Sequence, residues 1–409
     1  MKILYINHYA GSIYHGMEYR PYYLSLQWIK MGHSVSIIAS NFSHLRSNVS
    51  IKKPNNYKIE YIDGIKYIWC RTNIYKTNGI KRLFSIVKFL YRIWNYRNVL
   101  IKENFDIIIA SSTYPFDTYI AKYLANKTHA KFIYEVHDLW PLTPMELNKI
   151  SSYHPIIWLM AKAEKYGYKK ADLVVSLLIN SFDYMKTKGL EKSKFRYVPN
   201  GIFIDKDFLL SDGLNLLDLN MQILITKMRE NYNFLVGYCG GMGESNALKF
   251  LLKTAMLLPD VGFILVGDGM LKEQLTIDAK NIPNILILSS IKKNQVNNFL
   301  QQMDLLYIGW NNFNIYKFGV CPNKIFDYML AKIPILHSIN QDNDIVSVAN
   351  CGLKAKAEDP VDIANKINQI KQITLAKRLE LGENGYKYVI KNHLYQDLAV
   401  KFIEDIQNV

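Results

Sequence analysis

The sequence predicts an α/β protein of two doubly wound, Rossmann-like domains in tandem. Three observations carry this expectation. Apolar runs of strand length alternate with helix-period segments along nearly the whole chain, and the alternation restarts near residue 233 after an irregular stretch. The 409 residues also exceed what one hydrophobic core usually organises. Strands alternating with helices imply mainly parallel sheets covered on both faces, with ligands at the carboxyl ends of the strands and a central cleft between the domains.

The first series opens with ILYINH (3–8), then a glycine-containing loop, a helix near 18–31 and SVSIIAS (34–40) after Gly32. YKIEYID (57–63) and IKYIWCR (65–71) read as a hairpin about Gly64. A basic helical segment follows, then DIIIASS (106–112), a helix near 116–126, KFIYEV (131–136), a helix near 154–169, DLVVSLL (172–178) and FRYVPNGI (195–202). The second series runs NFLVGYCGG (233–241), a helix near 246–257, GFILVGDG (262–269), a helix near 270–279 and NILILSS (284–290). It continues with a helix near 294–302, DLLYIGW (304–310), a helix opening at Pro322 and IPILHSI (333–339), and residues 360–407 are helical. The expected divisions are a first domain over 1–202, a linker region over 203–231, a second domain over 232–390 and a last helical segment over 391–409.

Composition is globular, 49% apolar and 21% charged, without a disorder signature. Cys70, Cys239, Cys321 and Cys351 lie far apart with no C-x-x-C pair, which argues against a zinc site or disulfide framework and fits a reducing compartment. MKILYINHY offers a run of four apolar residues before Asn7 and His8, too short for a signal-peptide core, and no apolar run is long enough to span a bilayer. A cytoplasmic protein, soluble or peripheral, is expected. The net charge of +15 points to an anionic partner: nucleic acid, phospholipid or phosphorylated substrate. From Lys76 to Lys102 there are seven Lys or Arg and no acid, while Leu83, Ile86, Val87, Leu90, Ile93 and Trp94 keep helical spacing. Such a helix reads either as a segment lying on an anionic membrane or as a domain helix with its apolar stripe on a sheet, and the two can coexist.

Loops at strand ends carry the polar chemistry. In HYAGSIYHGMEYRP, Gly11 and Gly16 permit close backbone approach to a ligand ahead of a helix start, with Glu18 and Arg20 following. The spacing is not G-x-G-x-x-G, so no dinucleotide site is read there. EVHDLWP sets His137 and Asp138 just past a buried strand. His can shuttle a proton or hydrogen-bond a hydroxyl, and Asp can hold it or balance positive charge; the bland alternative is a capping Asp and a structural His. No Ser or Cys completes a hydrolytic triad. GYCGGMGESNAL places Gly240, Gly241 and Gly243 to bare N–H groups to phosphate, and VGDG (266–269) is a strand-end turn. In FGVCPNKIFDYMLAKIPIL, Pro322 suits the first helical turn, and Asn323 and Lys324 sit at the positive end of the helix dipole, a ready anion site. Asp327 follows about one turn on, where a carboxylate suits ribose hydroxyls while Asn323 and Lys324 suit a diphosphate. Together these features read as a nucleotide-sugar site.

The chain resembles the retaining GT-B glycosyltransferases of family 4, and among them the bacterial N-acetyl-L-fucosamine-type transferases of O-antigen and capsule assembly. HGMEYRPYYLSLQW (15–28), GHSVSIIASNFSHLR (32–46), EVHDLWPLTPMEL (135–147), VPNGI (198–202), GGMGESNAL (240–248), VGDG (266–269) and FGVCPNKIFDYMLAKIP (318–334) carry the likeness in the family's order. The resemblance implies a GT-B fold whose C-terminal helices pack back toward the N-terminal domain. It implies that Asp327 matches the second acid of the family's E-x7-E pattern, on donor ribose or sugar hydroxyls. Asn323, Lys324, Gly240 and Gly241 would hold the donor near its diphosphate, and Gly16 would lie near the reacting phosphate. His137, with Asp138 beside it, would touch the donor sugar, and Glu18, Arg20 and Arg46 would face the acceptor. The first acid of E-x7-E is missing, since NNFNIYKFG (311–319) contains no Asp or Glu, and Met242 and Glu244 occupy the loop of the usual Arg or Lys pair. Neutralising the leaving diphosphate then falls on Lys324 and backbone N–H groups.

The implied reaction is sugar transfer with retained configuration from a UDP-linked N-acetylated hexosamine or deoxyhexosamine to a saccharide on a polyprenyl diphosphate. It would take place on the inner face of the cytoplasmic membrane, reached through the basic segment 81–102. No metal or other cofactor is expected, because no Asp-x-Asp pair stands in a loop placed to meet the donor. A nucleotide-sugar epimerase on the same two domains is the alternative, though no acid–base residues beyond His137 and Asp138 are visible for it. A nucleic-acid-binding module lacks any RNP, KH or helix-turn-helix signal, so no nucleic acid is expected as partner. A lipid-associated scaffold would leave the glycine loops unexplained.

Overall fold

The computed structural model describes residues 1–16, 18–43, 56–75, 79–204 and 217–409, so Arg46 lies outside the described residues. The chain divides into two compact units, each built on one sheet. The first comprises Met1–Asn200, Phe318–Cys321 and Tyr395–Val409. Its strands are β1 (Lys2–Ile6), β2 (Ser34–Ser40), β3 (Tyr57–Ile62), β4 (Ile65–Cys70), β5 (Ile107–Ala110), β6 (Lys131–Val136), β7 (Leu173–Ser176) and β8 (Phe195–Tyr197). They run in the order 3-4-2-1-5-6-7-8. Neighbours are parallel except β3 and β4, the hairpin about Gly64, in which Ile62 lies opposite Ile65. Ile3, Leu4, Tyr5 and Ile6 are fully buried at the centre, as a strand covered on both faces requires.

The second unit comprises Gly201–Lys317 and Pro322–Leu394. Its strands β9 (Leu235–Cys239), β10 (Gly262–Val266), β11 (Ile285–Leu288), β12 (Leu305–Gly309), β13 (Ile335–Ser338) and β14 (Gly352–Ala355) are all parallel, in the order 11-10-9-12-13-14. Val236, Phe263 and Tyr307 of the sheet form one core with Leu251 and Leu252 and with Ile363, Ile367 and Ile370 of the helix Pro360–Gln372. In each unit the strand order reverses once, between β1 and β5 in the first and between β9 and β12 in the second. At such a switch point the following loops diverge to opposite faces and leave an opening at the carboxyl ends of the strands.

One segment differs from the sequence reading. Within the stretch expected as a linker, Leu219–Asn231 is a helix whose start is capped by the Asp218 side chain, which accepts from Met221 N at 2.9 Å. Only Met221 and Ile225 of that helix are buried, too thin an apolar face to show as periodicity. Residues 205–216 of the same stretch lie outside the described residues. The basic segment is one helix, Ile80–Glu103, that buries Ile86, Phe89, Ile93 and Leu100 as a domain helix does, while Phe84, Val87, Tyr91 and Trp94 remain exposed. No helix among the described residues is long and apolar enough to cross a membrane.

The final helix, Tyr395–Gln407, belongs to the first unit, whereas Pro360–Gln372 and Leu375–Asn392 belong to the second. It is held through Trp28, a fully buried residue whose Nε1 donates to Ala399 O at 3.0 Å and whose ring meets Phe402 edge-on at 5.4 Å. Arg196 Nε donates to Asp405 Oδ1 at 2.9 Å, and Lys131 Nζ donates to Ile406 O at 2.8 Å. Trp28→Ala should therefore cost about 3–5 kcal/mol in denaturant titrations. It should also lower amide-exchange protection selectively over 395–407; unchanged protection there would remove Trp28 as the anchor.

Candidate active site

At the switch point of the first sheet, the loop after β1 folds back so that Glu18 returns to the strand ends. Gly11 N donates to Glu18 O at 2.9 Å, and Glu18 N donates to Tyr9 O at 3.2 Å. Gly16 turns the loop at φ +90°, a left-handed conformation that favours glycine, and its N–H reaches Ser12 O at 2.8 Å. The Glu18 carboxylate then stands 3.2 Å from His137 Nδ1. His137 Nε2 lies 2.8 Å from Ser111 Oγ and 3.2 Å from Oε2 of Glu135, a fully buried residue of β6. Glu135 also accepts from Ser111 Oγ at 2.6 Å, from Tyr5 OH, and from Arg20 Nε and Nη2 at 3.0 and 2.9 Å. Arg20 donates further to the carbonyls of Val198, at 3.0 Å, and Pro199.

The result is a row of alternating charge: Arg20, Glu135, His137, Glu18. Burial alone would lower the pKa of His137, but Glu18 and the hydrogen bond to Glu135 outweigh it and push it up to about 10. Burial likewise opposes the Glu135 charge, yet Arg20 and then His137 hold its carboxyl well below the usual range. His137 is thus an imidazolium at neutral pH with both ring nitrogens engaged by carboxylates. Arg20, expected on the acceptor side, has no exposed surface and instead neutralises Glu135. Glu18, with 15% of its side chain exposed, is the member of the row that meets solvent. Asp138 is exposed beside it. Arg82 lies over the rings of Tyr9 and Trp140, 5.3 and 5.6 Å from their centroids, and its Nε donates to Tyr9 OH at 3.1 Å.

At the switch point of the second sheet, the loop after β9 rests on the loop after β10. Gly240 N donates to Val266 O at 3.0 Å and Met242 N to Asp268 O at 2.9 Å. Gly267 is glycine for a steric reason, since a Cβ there would stand 1.9 Å from Gly240 O. The Gly240 amide is therefore spent within the fold, while the Gly241 N–H has no partner among the described residues and a Cβ on Gly241 would meet nothing within 4 Å. Lys324 lies against this loop: its Nζ donates to Tyr238 OH at 3.0 Å and to Asn246 Oδ1, and a Cβ on Gly240 would stand 3.3 Å from it. Tyr238 OH and Asn246 Nδ2 both donate to Gly241 O, at 2.6 and 2.8 Å. The helix begins at Asn323 with Pro322 as its N-cap, and the buried Asn323 Oδ1 has no hydrogen-bond partner. Burial brings Lys324 down to about 7.

Asp327 is one turn further on and is not free. Lys293 Nζ lies 2.6 Å from both of its carboxylate oxygens, with 55% of the lysine side chain exposed. The second unit thus brings together Gly240, Gly241, Asn323, Lys324 and Asp327, and the first unit gathers Gly16, Glu18, Arg20, His137 and Asp138. Glu135, Ser111 and Lys293 escaped the sequence reading. For Glu135 the signal was present, an acid inside the otherwise apolar strand KFIYEV. Among the described residues no three His, Cys, Asp or Glu side chains gather to hold a metal ion.

Two family descriptions match the chain: "Glycosyltransferase Family 4" over residues 14–206 and "Glycosyl transferases group 1" over residues 233–372. No curated protein sequence matches it. Similar solved structures include sucrose-phosphate synthase from Thermosynechococcus elongatus, 15% identical, covering 100% of this chain and 98% of that one with a TM-score of 0.72. Anabaena HepE in complex with UDP and glucose is 13% identical over 100% of both chains, TM-score 0.67. WaaG, a glycosyltransferase involved in lipopolysaccharide biosynthesis, is 12% identical over 98% of both chains, TM-score 0.66. At these identities the likeness to solved structures shows the fold alone.

Breaking the buried row should be costly. Arg20→Met leaves Glu135 without its guanidinium and should destabilise the protein by about 3–5 kcal/mol in urea titrations. The His137 contribution has a defined pH window. Its folded pKa is raised from 6.5 to about 10, so its stabilisation is full below pH 6.5 and is lost as pH rises through 10. The stability gap between wild type and His137→Gln should accordingly be widest below pH 6.5 and close toward pH 10; a gap independent of pH would refute the imidazolium.

Proposed function

We propose that this chain, with its two glycosyltransferase family matches and its GT-B fold, moves a sugar from a nucleoside-diphosphate sugar in a specific reaction. The donor is a UDP-linked N-acetylated hexosamine or deoxyhexosamine, the acceptor a saccharide on a polyprenyl diphosphate, and transfer retains the anomeric configuration in O-antigen or capsule assembly. The single observation that carries the reading is the Lys324 ammonium set against the glycine loop of β9 at the sheet's switch point. The UDP bound by HepE supports the choice of nucleotide.

In this reading the second unit holds the donor. The diphosphate lies against the Gly241 N–H, the helix start at Asn323 and the Lys324 ammonium, and Asp327 takes the ribose hydroxyls as Lys293 yields or shares it. The bond from the anomeric carbon to the phosphate oxygen breaks, and Lys324 stabilises the charge that develops on the leaving diphosphate. The acceptor hydroxyl oxygen bonds to the anomeric carbon on the same face, and its proton passes to an oxygen of the departing diphosphate. The first unit serves the acceptor side. Glu18, held by His137, accepts a hydrogen bond from the acceptor hydroxyl, Asp138 faces the reacting sugar, and the Gly16 loop leaves room for the phosphate. The basic helix Ile80–Glu103 draws the protein to the anionic inner face of the cytoplasmic membrane.

Lys324→Ala should lower turnover about 10²–10³-fold with an unchanged melting temperature, and a near-wild-type rate would remove it from the mechanism. A diphosphate beside Lys324 favours its ammonium form, so donor binding raises a pKa that starts at about 7. Nucleotide-sugar affinity should then be highest at or below pH 7 and fall about tenfold per pH unit above it, until the bound-state pKa is reached. The diphosphate of a nucleotide sugar has no group titrating there, so Lys324→Met should flatten the slope. Affinities from calorimetry across pH decide it. A panel of nucleotide sugars screened for thermal stabilisation would identify the donor, and no stabilisation by any of them would sink the reading.

A further inference from the structure

The first unit carries an apolar groove of about 690 Å³ among three of its helices, Ile80–Glu103, Asp117–Thr128 and Pro155–Lys170. Val87, Leu90, Trp94, Phe116, Ile120 and Leu159 line it. Val87 is 56% exposed, Trp94 43% and Leu159 47%, a concentration of bare apolar surface that marks a binding site when it is contiguous. At about 30 Å³ per methylene-sized group, the space admits roughly twenty of them. That is the bulk of one hydrocarbon chain.

The charge on the first of these helices is one-sided. Helix Ile80–Glu103 carries Lys81, Arg82, Lys88, Arg92, Arg97 and Lys102, and its one acid, Glu103, is paired with Lys66 at 2.6 Å. The groove is also continuous with the strand-end chemistry. Leu90 and Phe116 pack against the buried cluster of Tyr9, Ile86 and Tyr114, as does Trp140. Arg82 spans Tyr9 and Trp140, and Trp140 follows Asp138 by two residues. An apolar trough that ends at a guanidinium, with Asp138, His137 and Glu18 beyond it, fits a molecule with a hydrocarbon tail, an anionic head and a sugar, in that order.

We propose that the groove seats the hydrocarbon tail of a single prenyl-phosphate-type lipid, with Arg82 on its phosphate or diphosphate. This rests on the lipid-linked acceptor proposed above and adds that the tail is bound by the protein, where flat adsorption on a membrane would leave it in the bilayer. Farnesyl diphosphate, used without detergent and below its aggregation concentration, tests it against inorganic diphosphate and farnesol by calorimetry on the full chain. Farnesyl diphosphate should bind at least about tenfold more tightly than either control. Val87→Glu with Leu159→Glu, at exposed positions, should weaken farnesyl diphosphate by a similar factor and leave inorganic diphosphate unchanged, while Arg82→Ala should bring it down to the level of farnesol. Equal binding of farnesyl diphosphate and inorganic diphosphate by the wild-type chain overturns the proposal, whatever the variants do. So does binding to anionic vesicles with none to the monomeric lipid, which would mean surface adsorption. Thermal stabilisation of the wild type by nucleotide sugars is read in parallel: its presence with no lipid binding removes the groove alone, and its absence with lipid binding removes the donor reading and leaves the groove standing.

Discussion

A carboxylate in the interior of a parallel strand has to be neutralised, and the first unit is organised around how Glu135 meets that demand. Left alone, it would cost several kcal/mol or take up a proton. Arg20 reaches it from the helix Arg20–Lys30, and because its other N–H groups go to the carbonyls of Val198 and Pro199, one guanidinium ties the first helix, β6 and the segment after β8 together. Arg20 and Glu135 alone would be a neutral pair. His137 adds a positive charge that the buried carboxylate supports, and that charge in turn fixes a carboxylate at the surface, Glu18. The position of an outward-facing acid is thereby set by a residue that no solvent touches.

The second unit solves the opposite problem. The polar neighbours of Lys324 are neutral acceptors, a phenol and an amide, so burial prevails and the ammonium is weakened. His137 has its counter-charges built in and holds its proton; Lys324 has none among the described residues and suits an anion that comes from outside. Asp327 falls between these cases, since the lysine that pairs with it is itself half exposed and can move. A cation with a permanent partner positions other groups, and one without a partner binds ligands. That distinction separates the cluster in one unit from the cluster in the other more clearly than residue type does.

The alternation of strands and helices was legible because parallel strands buried on both faces read as uninterrupted apolar runs, IIIA in β5 and FILV in β10 among them. The carboxyl ends of those strands could therefore be located, and His137, Lys324 and the glycine loops with them. Contacts between distant parts of the sequence were not legible. Arg20 was expected to face the acceptor because its partner lies 115 positions away, and Lys293 went unread because its partner lies 34 away. Helix Leu219–Asn231 was missed because two buried residues do not make a period. The basic helix shows the limit of periodicity itself: it marked one apolar stripe, and the fold divides that stripe into Ile86 and Ile93, which are covered, and Val87 and Trp94, which are not.

The excess of positive charge acquires a meaning once the acids are accounted for. Glu135 and Glu18 are matched by Arg20 and His137, which leaves Asp138 as the further exposed acid at the strand ends of the first unit. The basic helix beyond them carries one acid, Glu103, which Lys66 takes. A reaction that moves a sugar from one diphosphate carrier to another needs an anion site for each carrier. In the proposed assignment Lys324 serves the donor and Arg82 the acceptor, one cation in each unit.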